Sequence, residues 1–399
     1  MTKQTSYPET ILVDHSSDLG RVVEESKAGG VVAIDTEFMR EKTYRARLCL
    51  VQVATRENLY IIDPLDVPDL GPIAELLPDP AVELVVHAGR QDFEIFAERF
   101  DALPKSIFDV QLAAGFAGFG ASLPYGRVVE AITGTTLTKG ESYTDWCRRP
   151  LTDAQMKYAA DDVRYLLVIR DVLRDKLSTS GRLGWVEDEM AILEDPGLYS
   201  TDPAEVWRRV SGRGKMSGKQ TAVLRELARW REETASQRDI PRGWVVKDQT
   251  LVEMARRSPR SASELKNIRG FPAKELDRSG GGLLAAIERG KAAGPVASPD
   301  GPSRTAQVRA RTLSGLADAI VRSRSEAAGV ATELVSTRGE LESFLADLFD
   351  GGADEDRHRL MRGWRRELAG EAVMDLARGR IAVRSIDRSP YIEEVPLRD

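Results

Sequence analysis

The stretch VVAIDTEFM, at residues 31–39, decides the fold of the first half of this chain. Its four leading apolar residues predict a buried strand, at whose carboxyl end Asp35 and Glu37 follow. Because successive side chains of a strand point to opposite faces, these two carboxylates lie on the same side of the sheet. Further apolar runs, each bounded by polar residues, predict three more strands, at 46–54, 58–63 and 82–87.

The connections between these runs predict how the strands pair. Those linking the first three runs are short, which favours antiparallel neighbours. The fourth run follows a helical segment near 72–77, so it is expected to lie parallel to the first. Helical patterns then follow at 92–100, 109–117, 124–133 and 153–177. This order predicts a mixed α/β domain over residues 1–186.

Beyond residue 186 the strand signals largely disappear, and the sequence predicts helical domains. Prolines interrupt the first part, and a later stretch rich in Pro, Gly and Ser is typical of a flexible connection. The predicted segments are a helical linker at 187–217, a helical domain at 218–293, a flexible linker at 294–304, a second helical domain at 305–385 and an irregular tail at 386–399. The apolar spacing of 328–345 resembles that of 239–255, which predicts a degenerate internal repeat.

Composition excludes several classes of protein. The 399 residues are 42% hydrophobic and 30% charged, which is unlike a disordered or collagen-like chain. No apolar run approaches the roughly 20 residues of a membrane-spanning helix, and the first residues lack the apolar core of a secretory signal. The two cysteines match no zinc motif. We therefore expect a soluble, cytoplasmic protein with no membrane partner.

Charge is distributed unevenly along the chain. The net charge is −6, but residues 1–200 hold 21 basic and 33 acidic residues, a balance of −12. Residues 201–399 carry +6, and the stretch 207–295 alone holds 20 basic and 10 acidic residues, a balance of +10. An acidic half followed by a basic segment suggests metal chemistry beside the binding of a polyanion. The alternative is two solvated surfaces that differ by chance.

Two later segments supply further groups of a candidate site. Asp92 follows the fourth predicted strand, so parallel pairing with the first strand places it across from Asp35. Tyr158 and Asp162 are spaced i, i+4 and share one face of a helix. Asp161 is rotated from that face by about 100° and is expected to point elsewhere.

Four carboxylates and a phenol in one place would repel one another unless cations neutralised them. Oxygen ligands without cysteine indicate a hard ion, Mg²⁺ or Mn²⁺. Two such ions about 3.5–4 Å apart stabilise the attacking and the leaving oxygen in phosphodiester hydrolysis. Each residue taken singly also has a structural explanation, for example Asp92 as the cap of its helix.

Three of these segments resemble the exonuclease motifs of the DEDD superfamily, in the subgroup with tyrosine in the third motif. They are IDTEF at 34–38, VVHAGRQDFEIF at 85–96 and YAADDV at 158–163. The stretch GESYTDWCRRPLT at 140–152 and the two helical domains are similar to those of the ribonuclease D family. The resemblance covers nearly the whole chain.

The resemblance implies an α/β ribonuclease H-like exonuclease domain, in which helices flank a mixed sheet, at 1–186. It further implies two all-α HRDC-type domains, an HRDC domain at 218–293 and a divergent one at 305–385. The implied reaction is hydrolysis of the terminal phosphodiester bond of structured RNA, such as transfer-RNA precursors. It proceeds from the 3′ end and releases nucleoside 5′-monophosphates.

The resemblance also implies a role for five catalytic side chains. Asp35, Glu37 and Asp162 would bind the first of two divalent ions, Mg²⁺ or Mn²⁺. Asp35 would bridge to the second ion, supported by Asp92. Tyr158 would orient the attacking water.

Further residues are candidates for contact with the substrate. Those near the motifs are Phe38, Met39, His87, Lys139, Ser142 and Trp146. Those that would contact the RNA backbone from the basic HRDC domain are Arg256, Arg257, Lys266, Arg269 and Lys274. Each has a structural alternative as a core residue, a loop-shaping residue or a solvated charge. Asp109 is expected to cap a helix.

Two other functions remain open at this point. One is a DNA 3′–5′ exonuclease in repair, because nothing in the motifs reads the 2′-hydroxyl of RNA. The other is a non-catalytic adaptor that binds nucleic acid through its helical domains, which the complete set of five catalytic residues argues against. The sequence leaves the oligomeric state open, and we expect a monomer.

Overall fold

The structure of the protein is a computed structural model that describes residues 9–138, 140, 144–271, 273–296, 301–352 and 357–397. The chain forms two compact units, of which the first comprises Met1–Glu37, Leu50–Asp195 and Asp300–Asp399. The second comprises Phe38–Cys49 and Pro196–Pro299. Among the described residues, no helix has both the length and the apolar character needed to cross a bilayer.

A six-stranded sheet forms the centre of the first unit, in the order β1-β4-β3-β2-β5-β6. Its strands are β1 (Thr10–Val13), β2 (Val31–Met39), β3 (Arg47–Ala54), β4 (Leu59–Ile62), β5 (Glu83–Val86) and β6 (Ile107–Asp109). β3 and β4 are antiparallel, whereas β2 and β5 are parallel, as predicted. The sequence pattern missed β1 and β6, which are four and three residues long and too short to show a period.

Helices cover this sheet and connect its parallel strands. They are α1 (Leu19–Gly29), α2 (Gly71–Ala74), α3 (Arg90–Phe100), α4 (Val110–Phe116), α5 (Tyr125–Thr133), α6 (Asp153–Arg164), α7 (Leu166–Thr179) and α8 (Leu183–Ile192). The segment predicted as one helix over 153–177 is two helices, which meet at Tyr165. β5 runs parallel to β2 and leads into α3, so the carboxyl ends of both strands lie at one edge of the sheet.

The last part of the chain is a helical block in the same unit. Its helices are α14 (Arg304–Ala328), α15 (Thr332–Val335), α16 (Arg338–Phe349), α17 (Gly363–Arg365) and α18 (Glu371–Ala377). The expectation of an irregular tail over 386–399 is wrong for residues 392–396. These residues form β8 (Ile392–Pro396), which pairs with β7 (Ile381–Ser385) in an antiparallel hairpin that alternation alone did not reveal.

A buried ion pair joins this block to the α/β part of the unit. Arg365, which is 5% exposed, forms a two-pronged ion pair with Glu189 of α8, and its Nη2 lies 2.7 Å from Oε2. The indole rings of Trp364 and Trp185 stack with their centroids 5.2 Å apart. Leu334 packs so closely against Gly115 that an added Cβ there would lie 2.7 Å from the leucine. The helical block is therefore anchored by a desolvated pair and by packing.

The second unit is a helical domain. Its helices are α9 (Gly218–Arg238), α10 (Arg242–Val245), α11 (Asp248–Arg257), α12 (Ala262–Lys266) and α13 (Ala273–Ala292). Its core is apolar and includes Leu227, Val245, Leu251 and Ile287. Val206, Trp207 and Val210 belong to the same core, so this part of the predicted linker packs into the helical domain.

The internal repeat is visible in the backbone at a constant offset of 90 residues. The long helices α9 and α14 end at left-handed residues, Asp239 and Gly329. The four-residue helices α10 and α15 begin at residues 242 and 332, and α11 and α16 begin at residues 248 and 338. The two blocks therefore share one helical arrangement, as the apolar spacing predicted.

Candidate metal-dependent active site

Three of the predicted carboxylates meet in the structure. Asp35 and Glu37 come from β2 and Asp162 from α6, and one oxygen of each lies within 4.8 Å of an oxygen of the other two. The period of the strand brings the first two together, as predicted, and the helix supplies the third. Three oxygens at this separation are within reach of one divalent ion.

The environment of these carboxyls disfavours their charged forms. Burial raises the pKa of Asp35 well above its usual value, and the charges of Asp92, Asp162 and Glu37 add to the effect. Burial raises the pKa of Glu37 to about 8, with the charge of Asp162 adding to it. Burial likewise raises the pKa of Asp162 to about 8. A divalent cation would offset this crowding of negative charge.

Asp92 lies next to this group and not within it. It sits in the first turn of α3, is 7% exposed, and accepts a short hydrogen bond from the Thr36 hydroxyl. Burial raises the pKa of Asp92 to about 6. The charge of Asp92 also raises the pKa values of Asp35 and Glu37, and a role for Asp92 at a second ion remains a prediction.

Asp109 holds the loop that leads to Asp92. It caps α4, as predicted, but its buried carboxylate also binds the loop after β5. In all it accepts four backbone N–H groups, those of Ala88 at 3.1 Å, Gly89 at 3.3 Å, Gln111 at 2.8 Å and Leu112 at 3.3 Å. The cap could be read from the sequence, but the second pair of bonds required the fold.

We expect Asp109→Ala to lower the free energy of unfolding by about 2–4 kcal/mol, because it removes a helix cap and leaves buried N–H groups unpaired. The Asp92 carboxylate should then be less well placed, so kcat should fall as well. Chemical denaturation and steady-state kinetics measure both effects. Asp109→Asn, which keeps one carbonyl oxygen as an acceptor, should show smaller losses of the free energy of unfolding and of kcat. Equal stability of the alanine variant and the parent would contradict this role.

The helix that carries Tyr158 and Asp162 begins at a capping box. The Thr152 hydroxyl accepts a hydrogen bond from the Gln155 N–H at 3.2 Å, and the Gln155 side chain accepts one from the Thr152 N–H at 3.0 Å. This reciprocal pair fixes where α6 starts. The i, i+4 spacing then places the phenol and the carboxylate one turn apart.

The Trp146 ring packs against the Tyr158 ring. Its backbone is held by Arg149, which forms an ion pair with Asp63. The two ring centroids are 5.8 Å apart, and Trp146 is only 2% exposed. Arg149 donates through Nη1 to the Trp146 carbonyl at 2.8 Å and through Nη2 to Asp63 at 2.7 Å. The burial of Trp146 favours support of the tyrosine ring over the direct RNA contact that we predicted from the sequence.

Two neighbours complete the surroundings of Asp162. Asp161 points elsewhere, as predicted, and pairs with Lys157 at 2.8 Å and Arg164 at 3.0 Å. The buried Tyr125 donates to the Asp161 carbonyl at 3.0 Å, and its pKa is raised well above the usual value by burial and by the charge of Asp162. Tyr125 was missed because no spacing in the sequence links it to α6.

The remaining predicted contacts near the motifs differ in position. His87 packs against the Tyr125 ring, and burial lowers its pKa to about 4, so it is neutral at pH 7. Phe38 and Met39 are half-buried at the end of β2. Lys139 and Ser142 lie outside the described residues. A direct role in substrate binding for any of these remains a prediction.

The five candidate contacts of the basic domain are all exposed, namely Arg256, Arg257, Lys266, Arg269 and Lys274. Two of them have partners within the domain. Arg256 donates to the Arg213 carbonyl at 2.9 Å, and Arg257 pairs with Glu253 at 2.5 Å. Their exposure is compatible with phosphate contacts, and RNA binding by each of them remains a prediction.

Metal affinity should depend on pH. In the metal-free protein Glu37 and Asp162 keep their protons up to about pH 8, whereas in the unfolded chain they lose them near pH 4. The free energy of unfolding of the metal-free protein therefore falls as the pH rises from about 4 to about 8. A metal ion that binds in this range must displace the protons. We expect the affinity for Mg²⁺ to rise at least tenfold from pH 6 to pH 8.

Titration calorimetry at the two pH values measures this dependence. Asp153→Asn, which changes an exposed carboxyl in the first turn of α6, should leave the rise in place. Equal affinity at pH 6 and pH 8 would show that the cluster is already ionised at pH 6.

Comparison with known proteins adds the family. Residues 10–178 match the 3′–5′ exonuclease family, and residues 220–287 match the HRDC domain family. The chain is 38% identical to ribonuclease D of Granulibacter bethesdensis over 384 residues, which cover 95% of each chain. It is 35% identical to ribonuclease D of Acidiphilium cryptum over 99% of this chain and 100% of that one.

A solved structure is also similar over nearly the whole length. It is Escherichia coli RNase D, described as an exoribonuclease involved in structured RNA processing. The two superpose with a TM-score of 0.81 at 31% sequence identity, covering 93% of this chain and 99% of that one. The predicted ribonuclease H-like domain with a C-terminal HRDC domain is thereby confirmed.

Proposed function

Because the chain belongs to the ribonuclease D family, a family of 3′–5′ exoribonucleases that use divalent metal ions, we propose a specific reaction and substrate for it. It removes nucleoside 5′-monophosphates one at a time from the 3′ end of structured RNA, including transfer-RNA precursors. Two ions, Mg²⁺ or Mn²⁺, take part. The observation that carries the proposal is the meeting of Asp35, Glu37 and Asp162.

The residues fit this pair of ions by the chemistry of their donors. Asp35, Glu37 and Asp162 would hold the first ion, and Asp35 with Asp92 would hold the second. All the donors are carboxylate oxygens, which suit hard ions. When bound, the ions supply positive charge that stabilises the attacking and leaving oxygens of the scissile bond.

Tyr158 orients the attacking water through its hydroxyl. The ring is half-buried and packs on Trp146, so its position is fixed before substrate arrives. The Asp63–Arg149 pair anchors the loop that carries Trp146. The burial of this support limits the movement of the hydroxyl relative to Asp162, one turn further along α6.

The basic HRDC domain holds the body of the RNA. Its charge of +10 over residues 207–295 supplies affinity for phosphate without regard to sequence. The substrate therefore needs a folded part that contacts the HRDC domain and a free single-stranded 3′ end that enters the active site. A transfer-RNA precursor with a 3′ extension is such a molecule.

The test uses a 5′-labelled transfer-RNA precursor with a short 3′ extension. We expect bands that shorten from the 3′ end in one-nucleotide steps, only in the presence of Mg²⁺ or Mn²⁺. The matched control carries a 3′-terminal phosphate block and should resist hydrolysis. Cutting within the strand of the blocked RNA would contradict exonuclease action. Faster hydrolysis of DNA of equal sequence would favour the alternative function in DNA repair.

A further inference from the structure

A cavity of about 360 Å³ lies in the HRDC domain of the second unit. None of the residues that line it belongs to the segments that carry the catalytic carboxylates. Its walls come from the segment before α9, from α9 itself and from the α10–α11 region. None of the five basic residues singled out from the sequence lines it. Its volume is in the range of sites that bind small ligands.

The cavity is positively charged. Four basic side chains line it, Arg209, Arg231, Arg242 and Lys247, against two acidic ones, Glu232 and Asp248. Both acids already have partners. Glu232 accepts from Arg242 Nη2 at 2.7 Å, and Asp248 accepts from Arg231 Nη1 at 2.6 Å. An excess of two positive charges therefore faces any ligand that enters.

Three of the cations have donors to spare. Arg209 and Lys247 are exposed and have no acidic partner among the described residues. Arg231 is 6% exposed, and its Nε–H has no acceptor among the described residues. A buried guanidinium N–H without a partner is costly, and an anionic ligand would lower that cost.

An exposed tryptophan is the next residue in the sequence after one that lines the cavity. Trp244 is 59% exposed and follows Gly243, which lines the cavity. An aromatic ring next to a basic site is the arrangement on which nucleic-acid bases stack. The basic side chains and the aromatic ring together suit a nucleotide, which carries both a phosphate and a base.

The second helical block shows that these residues are not required by the fold. At the offset of 90 residues, Arg231 corresponds to the buried Val321, and Lys247 corresponds to Thr337. Trp244 corresponds to Leu334, which packs against Gly115 of the exonuclease part. In the second helical block this position packs against the exonuclease part of the protein. In the HRDC domain the corresponding position is exposed and lies next to charged residues.

We propose that this cavity is a nucleotide-binding site of the HRDC domain, in which the phosphate lies against Arg209, Arg231 and Lys247 and the base stacks on Trp244. The nucleotide is part of the RNA substrate, upstream of the 3′ end that is hydrolysed. The same chemistry would also admit a free nucleoside 5′-monophosphate, the released product. The inference rests on the proposed function for the identity of the RNA.

The test uses the full-length protein with Arg209→Gln, Lys247→Thr and Trp244→Leu combined. Two of these changes introduce residues that the other repeat carries, so the fold should tolerate them. The control, Lys219→Gln with Arg229→Gln, removes two exposed charges of the same domain outside the cavity. A second variant, Arg209→Gln alone, keeps the test valid if the combined variant does not fold.

For a structured RNA we expect KM to rise about 10- to 100-fold in the combined variant, with kcat unchanged. The steepness of the salt dependence should fall by about 2, one for each phosphate-type contact removed. A dinucleotide that occupies the active site alone should be hydrolysed as by the parent. The control should match the parent throughout.

Parent-like KM and salt dependence in the variants would overturn the proposal. Failure of the parent itself to hydrolyse RNA would refute the proposed function, which is a different result. Titration with adenosine 5′-monophosphate distinguishes the two sources of the nucleotide. Binding that the combined variant loses would show that free product enters the site, and a changed KM without such binding would assign the site to the RNA chain.

Discussion

Asp35→Asn should lower the rate of RNA hydrolysis by at least about 1,000-fold, which corresponds to about 4 kcal/mol of transition-state stabilisation. The reason is that Asp35 is one of the three carboxylates that meet in the structure, and in the proposed mechanism it would also bridge to the second ion. Its loss would then weaken both proposed sites. Affinity for RNA should stay within about threefold, because we propose that phosphate contacts come mainly from the basic domain.

The fold should tolerate this substitution. Burial and the neighbouring charges raise the pKa of Asp35 well above its usual value, which favours its neutral, protonated form. Asparagine has nearly the same shape as that neutral form. Single-turnover kinetics, filter binding and thermal melting together separate loss of chemistry from loss of structure.

Asp161→Asn is the matched control for Asp35→Asn. Asp161 lies next to Asp162 in the chain, but it pairs with Lys157 and Arg164 and not with the cluster. Its rate should stay within about threefold of the parent. Hydrolysis at the parent rate by Asp35→Asn, or a comparable loss in both variants, would contradict the assignment of the metal site.

Tyr158→Phe should lower kcat about 100-fold and leave the affinities for metal and RNA unchanged. In the proposed mechanism the phenol hydroxyl orients the attacking water, and a positioned proton acceptor or donor contributes in this range. The ring would remain packed on Trp146, so structure should not change. Tyr60→Phe, on β4 two strands away from β2, serves as the control for loss of a tyrosine hydroxyl. An unchanged kcat in Tyr158→Phe would remove this role.

Much of the site could be predicted because its residues obey short periods. The spacing of Asp35 and Glu37 follows the strand, and that of Tyr158 and Asp162 follows the helix. The parallel pairing of β2 and β5 then brings Asp92 near. These local rules gave the pair on each element and the pairing of the main strands, whereas the meeting of α6 with β2 rested on the resemblance to the exonuclease motifs.

What the sequence did not reveal depends on contacts between distant segments. Asp109 reads as a simple cap, yet it also fixes the loop at Ala88 and Gly89, 20 or more residues earlier. Trp146, a candidate for substrate contact with a loop-shaping role as its alternative, is buried. Such roles depend on tertiary packing, which no spacing along the chain encodes.

The most direct test of the central claim is a crystal structure of the protein soaked in Mn²⁺, with anomalous scattering used to locate the metal. We expect two peaks about 3.5–4 Å apart, one among Asp35, Glu37 and Asp162 and the other between Asp35 and Asp92. A map with no manganese within bonding distance of Asp35, at saturating metal and pH 8, would contradict the account.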